Sequence, residues 1–150
     1  MLVLKSGLSS MPEYHLIPAT ETLVDKFISG LIKGRVNFRY FQTRPVNIIN
    51  THLLTLIIVE ESGNPVAYGH LEKEKGTLWL GVAVADDHNN KGLGTMMMKT
   101  LIDSAKRKNE RTISLSVDKN NEKAQKLYLK MGFLQTAEFS DRLVFQLQLS

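Results

Sequence analysis

Two short stretches of the chain carry residue types and spacings that could do chemistry, and the first is Asn89–Thr95, with the sequence Asn-Asn-Lys-Gly-Leu-Gly-Thr. The glycines at positions 92 and 94 permit a tight turn and a close approach of a ligand to the backbone. If a helix begins near Gly94, its first N–H groups lack partners within the helix and suit a phosphate or pyrophosphate. A Gly-x-Gly turn alone is a weak indicator, because many ordinary turns share it.

The second stretch, Asn121–Phe133, predicts a short helix that stops at a glycine. Ala124, Leu127, Tyr128 and Met131 fall at i, i+3, i+4 and i+7, which is one continuous helix face. The phenol of Tyr128 would lie at the edge of that face. For an isolated tyrosine, the usual interpretation is a core residue whose hydroxyl reaches water.

A candidate general base, meaning a side chain that could take a proton from a substrate, lies on the strand predicted over Val66–Glu74. His70 and Glu72 share one face of that strand with Val66 and Tyr68, if the alternation is regular. Imidazole titrates near neutral pH, which makes His70 the candidate. A hydrogen-bonded structural histidine and a water chain to backbone carbonyls are the alternatives.

Aromatic and basic residues occur together in the irregular segment that precedes the strand predicted over 53–60. They are Phe38-Arg39-Tyr40-Phe41 and then Arg44. Guanidinium groups suit carboxylates and phosphates, and aromatic faces stack on rings. Arg39, Tyr40 and Arg44 are therefore candidate substrate residues. The alternative is a packing segment whose arginine stems cover apolar surface.

Hydrophobic periodicity indicates the elements that must position these residues. The first dozen residues are expected to be frayed. We predict a strand near Tyr14–Ile17, then a helix that Thr20 opens and Gly34 ends. Later strands and helices are predicted over 53–60, 66–74, 77–85, 94–105, 112–117, 121–131, 136–139 and 143–149. Both faces of the strand over 77–85 are apolar, which predicts a central strand covered on both sides.

Composition bounds the class of protein. With 150 residues, 43% of them hydrophobic, the chain suits one globular domain, residues 1–150. It has no cysteine, which excludes disulfides, zinc–thiolate sites and an acyl-cysteine intermediate. The net charge of +4 is mild, and the cluster Lys106–Lys108 complements the end of a predicted helix. The N-terminus does not read as a signal peptide, so we expect a cytoplasmic protein with neither membrane nor nucleic-acid partners.

Both stretches resemble motifs of the GNAT superfamily of acyl-CoA-dependent N-acyltransferases, and the resemblance is strong from about Val66 to Phe133. The first matches Gln/Arg-x-x-Gly-x-Gly/Ala at both glycines but has Asn89 at the first position. The second matches Asn-x-x-Ala-x-x-Leu-Tyr-x-x-x-Gly-Phe without a gap. The dinucleotide motif Gly-x-Gly-x-x-Gly is not met, because position 97 is methionine.

The resemblance implies a mixed, mostly antiparallel α/β (α+β) sheet flanked by helices. It implies acetyl-CoA as co-substrate, no metal, and a small-molecule amine acceptor. Tyr128 would protonate the departing thiolate, whose reference pKa, about 8.5, lies near the phenol value of about 10. The residues that would bind the cofactor are Val82, Ala83, Val84, Asn89, Asn90, Lys91, Gly92, Leu93, Gly94, Thr95 and Asn121.

We therefore expect an N-acetyltransferase that works by direct transfer, as a monomer or homodimer. The Phe38–Phe41 run together with Tyr68-Gly69-His70 is similar to small GNAT proteins of bacterial surface-sugar biosynthesis, which suggests a nucleotide-linked amino sugar as acceptor. Peptide or protein amines and amino acids are alternative acceptors. A non-catalytic CoA-binding module and a nucleic-acid-binding domain are alternatives of other classes.

Overall fold

The computed structural model describes residues 2–5, 13–31, 38–88 and 91–149. No helix in this part of the chain is long and apolar enough to cross a membrane. The strands are β1 Leu2–Lys5, β2 Glu13–Pro18, β3 Leu54–Glu60, β4 Pro65–Glu74, β5 Thr77–Val84, β6 Thr112–Asp118, β7 Leu134–Glu138 and β8 Arg142–Gln148. The helices are α1 Glu21–Gly30, α2 Leu93–Arg107 and α3 Glu122–Lys130, and short 3₁₀ turns occupy Tyr40–Gln42, Val46–Thr51 and Asp86–His88.

The strands form one sheet in the order β1-β2-β3-β4-β5-β6-β8-β7. Among the described strands only β5 and β6 are parallel, so the predicted mixed and mostly antiparallel sheet is confirmed. The expectation of a frayed N-terminus is wrong for β1, which pairs with β2 through Leu2↔Leu16 and neighbouring pairs. Backbone pairing at a sheet edge does not require the strong side-chain pattern that the sequence lacks here.

Helices cover both faces of the sheet. The core on one face includes Met97, Met98 and Leu101 of α2 together with Tyr128 of α3, and we call it the α2-side core. The core on the other face, the α1-side core, gathers α1 and the 3₁₀ turns around Ile57 and Tyr68. Because β5 contributes to both cores, its prediction as a strand covered on both sides is confirmed.

The predicted elements occur with shifts of one or two residues at most of their ends. Thr20 does open α1, where its hydroxyl accepts a hydrogen bond from the Leu23 N–H at 3.2 Å. The helix ends at Gly30, however, four positions before the predicted stop at Gly34, which lies outside the described residues. At the end of α2, Lys106 and Arg107 occupy the last turn, as expected.

A register shift corrects the predicted face of β4. Ile58 pairs with Ala67 and Val59 with Pro65, so Val66 is an additional residue on the β4 side of the ladder. Val66 consequently packs in the α2-side core, whereas Tyr68 packs in the α1-side core. The expectation that the two residues share a face was wrong, because a bulge interrupts the alternation between them.

The sheet splays apart between β5 and β6. These parallel strands pair at one position, Trp79↔Ser114, whereas β4 and β5 pair over eight positions, Ala67↔Val84 to Glu74↔Thr77. The edge of β5 beyond Trp79 therefore has no ladder partner in β6. This opening positions the candidate site.

Candidate active site

A single cleft of about 1060 Å³ opens where β5 and β6 separate. It continues from the start of α2, past α3, to the segment that precedes β3. Most of the predicted site residues line it: Arg39, Tyr40, Arg44, His70, Val82, Ala83, Val84, Gly92, Leu93, Gly94, Thr95, Asn121 and Tyr128. Lys91, the residue before Gly92, does not line the cleft, and Asn89 and Asn90 lie outside the described residues.

The unpaired edge of β5 presents backbone groups to the cleft. The Ala85 N–H donates to the Val66 carbonyl at 2.9 Å, which directs the Ala85 backbone toward β4. Successive residues of a strand direct their N–H and C=O groups to opposite edges. The backbone groups of Val84 and Val82 therefore point toward β6, where the splay leaves them without a strand partner. These backbone groups are therefore open to an extended ligand in the cleft.

The N-terminus of α2 opens onto the same cleft. Gly92 has φ of 78°, a left-handed conformation that favours glycine, and no side chain caps the helix at this position. The Met96 N–H donates to the Gly92 carbonyl, whereas Leu93, Gly94 and Thr95 form the first turn, whose N–H groups have no helical acceptor. Among the described residues these three N–H groups have no acceptor, and N–H groups at the positive end of a helix can bind a phosphate oxygen.

Gly94 determines how closely a ligand can approach this turn. A Cβ added at Gly94 would lie 3.6 Å from Leu127 and 3.7 Å from Val84, both ordinary van der Waals contacts. An alanine would therefore fit, but any longer side chain would extend from between these two cleft-lining residues. The position accepts a methyl group and opposes a larger, charged group.

Asn121 begins the tyrosine helix. Its side-chain oxygen accepts a hydrogen bond from the Ala124 N–H at 3.2 Å, which makes it the N-cap of α3. Asn121 also lines the cleft, so its amide group is positioned near any ligand there. The capping contact alone accounts for an asparagine at this position, and the predicted cofactor contact stays a prediction.

The end of α3 fixes the position of Tyr128. The Phe133 N–H donates to the Tyr128 carbonyl at 3.0 Å and the Gly132 N–H to the Leu129 carbonyl at 3.1 Å, with Gly132 at φ 99°. This is a Schellman motif, in which the residue after the glycine packs back on the helix. The Phe133 and Tyr128 rings lie 6.2 Å apart. The Gly-Phe pair of the sequence motif is thus the device that holds the tyrosine.

Tyr128 lines the cleft with little exposure. Its side chain is 7% exposed, and burial raises the pKa of its hydroxyl to about 12. Among the described residues, none hydrogen-bonds this hydroxyl, and its oxygen is not sealed from the cleft. The phenol is therefore protonated at neutral pH and free to donate to a ligand.

The opposite end of the cleft is built from side chains that bond to one another. The Tyr40 hydroxyl lies 2.6 Å from His52 Nε2 and donates to Glu72 Oε1 at 2.9 Å. His52 Nδ1 lies 2.8 Å from the Thr55 hydroxyl, and the His52 side chain is fully buried. Burial and the hydrogen bond to Glu72 raise the pKa of Tyr40, and burial lowers that of His52. At neutral pH the network therefore holds a neutral phenol and a neutral imidazole.

His70 lies beneath this network. It is 2% exposed, its Nδ1 lies 2.6 Å from the Tyr68 hydroxyl, and its ring centroid is 4.4 Å from Tyr40 and 4.5 Å from His52. Burial, followed by the neighbouring His52 and Arg44, lowers the pKa of His70 well below its usual value. A ring with so little exposure and so low a pKa is a poor proton acceptor for a substrate.

Both candidate arginines have protein partners. Arg39 reaches Asp118 at 3.3 Å and Asp141 at 3.5 Å, and its side chain is 51% exposed. Arg44 donates to the Tyr40 carbonyl at 3.0 Å and lies over the Tyr40 ring, 4.3 Å from its centroid. Phe41 packs against Tyr68 in the α1-side core, at a centroid distance of 5.4 Å. The segment thus combines both interpretations, with Phe41 in packing and Tyr40 at the cleft.

Three side chains at this end could hold a metal ion. His52, His70 and Glu72 each offer one ligand atom, and these atoms lie within 4.8 Å of one another. Two of the three, His52 and Glu72, already hydrogen-bond to Tyr40. The network is therefore bonded without a metal, and the expectation that none is required stays a prediction.

The sequence did not reveal His52, nor that Tyr68 contacts His70. His52 lies between the 3₁₀ turn Val46–Thr51 and β3, outside a regular element, so no periodicity marks it. His88 is half-buried, and its Nε2 lies 3.2 Å from Glu60 Oε2. The contacts of His52 with Tyr40 and of His88 with Glu60 join residues that no local pattern connects, whereas Tyr68 and His70 lie two positions apart on β4.

The sequence matches the acetyltransferase (GNAT) family over residues 25–133. The chain belongs to the GNAT family. No curated protein matches it. Among solved structures with the same fold, Ard1 of Thermoplasma volcanium has a TM-score of 0.79 at 16% identity, covering 91% of this chain and 98% of that one.

Two further solved structures share the GNAT fold with this chain. The yncA protein of Salmonella typhimurium, solved with its cofactor acetyl-CoA, has a TM-score of 0.74 at 20% identity. The match covers 91% of this chain and 94% of the yncA chain. The ribosomal-protein-S18-alanine N-acetyltransferase of Escherichia coli has a TM-score of 0.71 at 20% identity, with the same coverage of 91% and 94%. At these identities the likeness concerns the fold.

Proposed function

We propose that this GNAT protein transfers an acetyl group from acetyl-CoA directly to the primary amine of a small molecule. The observation that carries the proposal is the unpaired edge of β5, which lies in one cleft between the open N-terminus of α2 and the phenol of Tyr128. A thioester held along that edge would have an acid at its sulfur and an acceptor pocket beyond it.

The cofactor would be held mainly by backbone groups. The first-turn N–H groups at Leu93, Gly94 and Thr95 bind the pyrophosphate, and the main chain of Val82 and Val84 binds the pantetheine arm. A β5 backbone N–H polarises the thioester carbonyl, as donors aimed at developing negative charge do. The yncA protein, which has this fold, was solved with acetyl-CoA, and that supports the choice of cofactor.

Glu72 is the better candidate than His70 for taking the proton from the amine. Its carboxylate lines the cleft, is 15% exposed and is held by the Tyr40 hydroxyl. The ammonium loses one proton to Glu72, and the nitrogen attacks the thioester carbon. As the C–S bond breaks, the sulfur takes the proton of Tyr128. The nitrogen gives its second proton to solvent as the amide forms, and Tyr128 and Glu72 return to their starting protonation states by exchange with solvent.

Proton transfer from Tyr128 is less favourable than reference pKa values imply. Burial raises the pKa of Tyr128 to about 12, against about 8.5 for a thiol in water. The same apolar surroundings raise the pKa of a thiolate beside it, because burial disfavours the charged form. Donation therefore accompanies the breaking of the C–S bond, when negative charge develops on sulfur.

For the acceptor, a nucleotide-linked amino sugar remains our first candidate, with Tyr40 beside its ring and Arg39 or Arg44 near its phosphates. The protein partners of both arginines weaken this choice, because a substrate must compete with Asp118 and Asp141 for Arg39. Peptide N-termini and amino acids are the second candidates. The Escherichia coli neighbour, named for an alanine of a ribosomal protein, has the same fold.

The experiment is a panel of amines assayed for CoA thiol release with acetyl-CoA, covering nucleotide amino sugars, amino acids, peptides, spermidine and an aminoglycoside. Release of CoA thiol only when an amine is present would support the proposal that the protein is an acetyltransferase. Release with none of them, despite measured acetyl-CoA binding, would favour a non-catalytic CoA-binding module. Arg39→Ala and Arg44→Ala should raise KM for nucleotide amino sugars. A preference for spermidine that neither substitution changes would refute the anionic acceptor.

A further inference from the structure

The surroundings of Tyr68 determine which group donates the hydrogen bond between Tyr68 and His70. Tyr68 is 0% exposed and packs among aromatic rings, with Phe38 and Phe41 each at a centroid distance of 5.4 Å and Phe27 at 6.2 Å. Within the described residues, His70 Nδ1, 2.6 Å away, is the hydrogen-bond partner of its hydroxyl. A buried hydroxyl proton without an acceptor costs about 1–3 kcal/mol. Tyr68 therefore donates and Nδ1 accepts.

This direction fixes the tautomer of His70. A neutral imidazole carries one hydrogen, so an accepting Nδ1 places that hydrogen on Nε2. The reverse arrangement would make Nδ1 the donor and leave the buried Tyr68 proton without an acceptor. The low pKa of His70 agrees with a ring that stays neutral.

The Nε2–H group is available at the cleft. His70 lines the cleft, and Nε2 is not among the sealed side-chain atoms that lack a partner. The ring lies against Gly81, where an added Cβ would stand 2.7 Å from Nε2, so a glycine is required to seat it. Tyr40 and His52 flank the ring on the side where Glu72 also lies.

We propose that Tyr68 is a positioning residue that fixes His70 as an N–H donor, and that this donor binds an oxygen atom which the acceptor carries beside its reactive amine. The second half rests on the proposed function, because it places the amine near Glu72. The substrate class is then an amine with a neighbouring hydroxyl, carbonyl or carboxylate oxygen. Simple alkylamines and polyamines lack this oxygen.

The tautomer can be measured without any activity, by long-range ¹H–¹⁵N NMR of protein with ¹⁵N-labelled histidine. The chain has 4 histidines, and the signals lost in His70→Gln identify His70. We expect the Nε2–H pattern in wild type, and a shift of the Nδ1 signal in Tyr68→Phe, which removes only the hydroxyl. A Nδ1–H pattern in wild type would overturn the assignment.

Kinetics test the recognition of oxygen. The ratio of kcat/KM for an amino-acid amide to that for an alkylamine of equal length should fall about 3–10-fold in His70→Leu, the scale of one hydrogen bond. His70→Gln, whose amide can replace the Nε2–H, should restore much of the ratio. An unchanged ratio in His70→Leu would overturn oxygen recognition. If no amine reacts at all, the proposed function fails while the tautomer result still stands.

Discussion

The two ends of the cleft are built from different chemical groups. At the α2 end, the groups that face a ligand are backbone N–H groups of the first helical turn and of the β5 edge. At the β4 end they are the side chains of Tyr40, Glu72 and His70. The buried side chains of His52 and Tyr68 hold them through hydrogen bonds. The backbone end needs only small residues and a correct fold, whereas the other end needs particular side chains from distant parts of the chain.

This difference determines how substitutions should act at each end. A backbone site loses function only when a side chain enters it, so both bulk and charge matter. A side-chain network loses function when one member is removed, because a buried partner is then left unpaired. Each of the following variants separates the two ends.

The largest effect is expected at the backbone end, from Gly94→Glu. Its side chain would extend from between Val84 and Leu127 and place a negative charge where the pyrophosphate should lie. We expect no measurable acetyl-CoA binding by calorimetry, with the fold retained by circular dichroism. Gly94→Ala is the matched control and should bind like wild type, since its methyl group makes ordinary contacts. Equal affinity in Gly94→Glu would contradict the site assignment.

Tyr128→Phe should separate binding from chemistry at the centre of the cleft. The substitution keeps the ring contact with Phe133 and removes the proton donor. Turnover should fall by about 10²-fold or more, the scale of one general acid, while acetyl-CoA affinity changes little. Steady-state kinetics and calorimetry on one preparation measure both. Turnover near wild type would show that the thiolate leaves without this phenol.

Glu72→Gln should reduce turnover without affecting the backbone end. Loss of the proton acceptor should lower kcat by about 10–100-fold at neutral pH and leave acetyl-CoA affinity unchanged. Glu74→Gln, an exposed residue two positions along β4, is the matched control. If both variants retain wild-type kcat, the proton leaves by another path, such as water.

The smallest effect concerns stability, and it involves only the side-chain end. His52 and His70 have pKa values lowered in the folded protein, so the unfolded chain binds more protons as pH falls below about 6.5. Their stabilising contribution is present above that pH and is lost as pH falls toward the folded values. Urea unfolding should show that the free energy of unfolding falls between pH 6 and pH 5, with about 1 kcal/mol of the loss coming from His70, whose pKa is lowered well below its usual value. In His70→Gln the free energy of unfolding should depend less steeply on pH. An unchanged pH dependence would contradict the assignment of this effect to His70.

The same contrast explains what the sequence could predict. The backbone end follows from local patterns: glycines at a strand-to-helix turn, an apolar strand, and a tyrosine followed by Gly-Phe. The side-chain end depends on contacts between distant positions, such as Tyr40 with His52 and Glu72, which no period or spacing encodes. Arg39, which the sequence predicts as a substrate residue, lines the cleft, but its partners Asp118 and Asp141 lie far away in sequence.

Local patterns failed where the backbone departs from regular geometry. The bulge at Val66 moved that residue to the opposite face from Tyr68, and β1 formed by pairing with β2. In both cases the outcome depends on the partner strand, so tertiary context prevails over local pattern.

Direct transfer within the cleft is tested most directly by a single-turnover reaction, with enzyme in excess over acetyl-CoA labelled with ¹³C in the acetyl group. Mass spectrometry follows the protein, CoA and a reactive amine from the panel. The account predicts no CoA release before the amine is added, an unmodified protein mass, and labelled N-acetyl amine equal to the CoA formed afterwards. Stoichiometric CoA release without amine, or acetyl label on the protein, would contradict it.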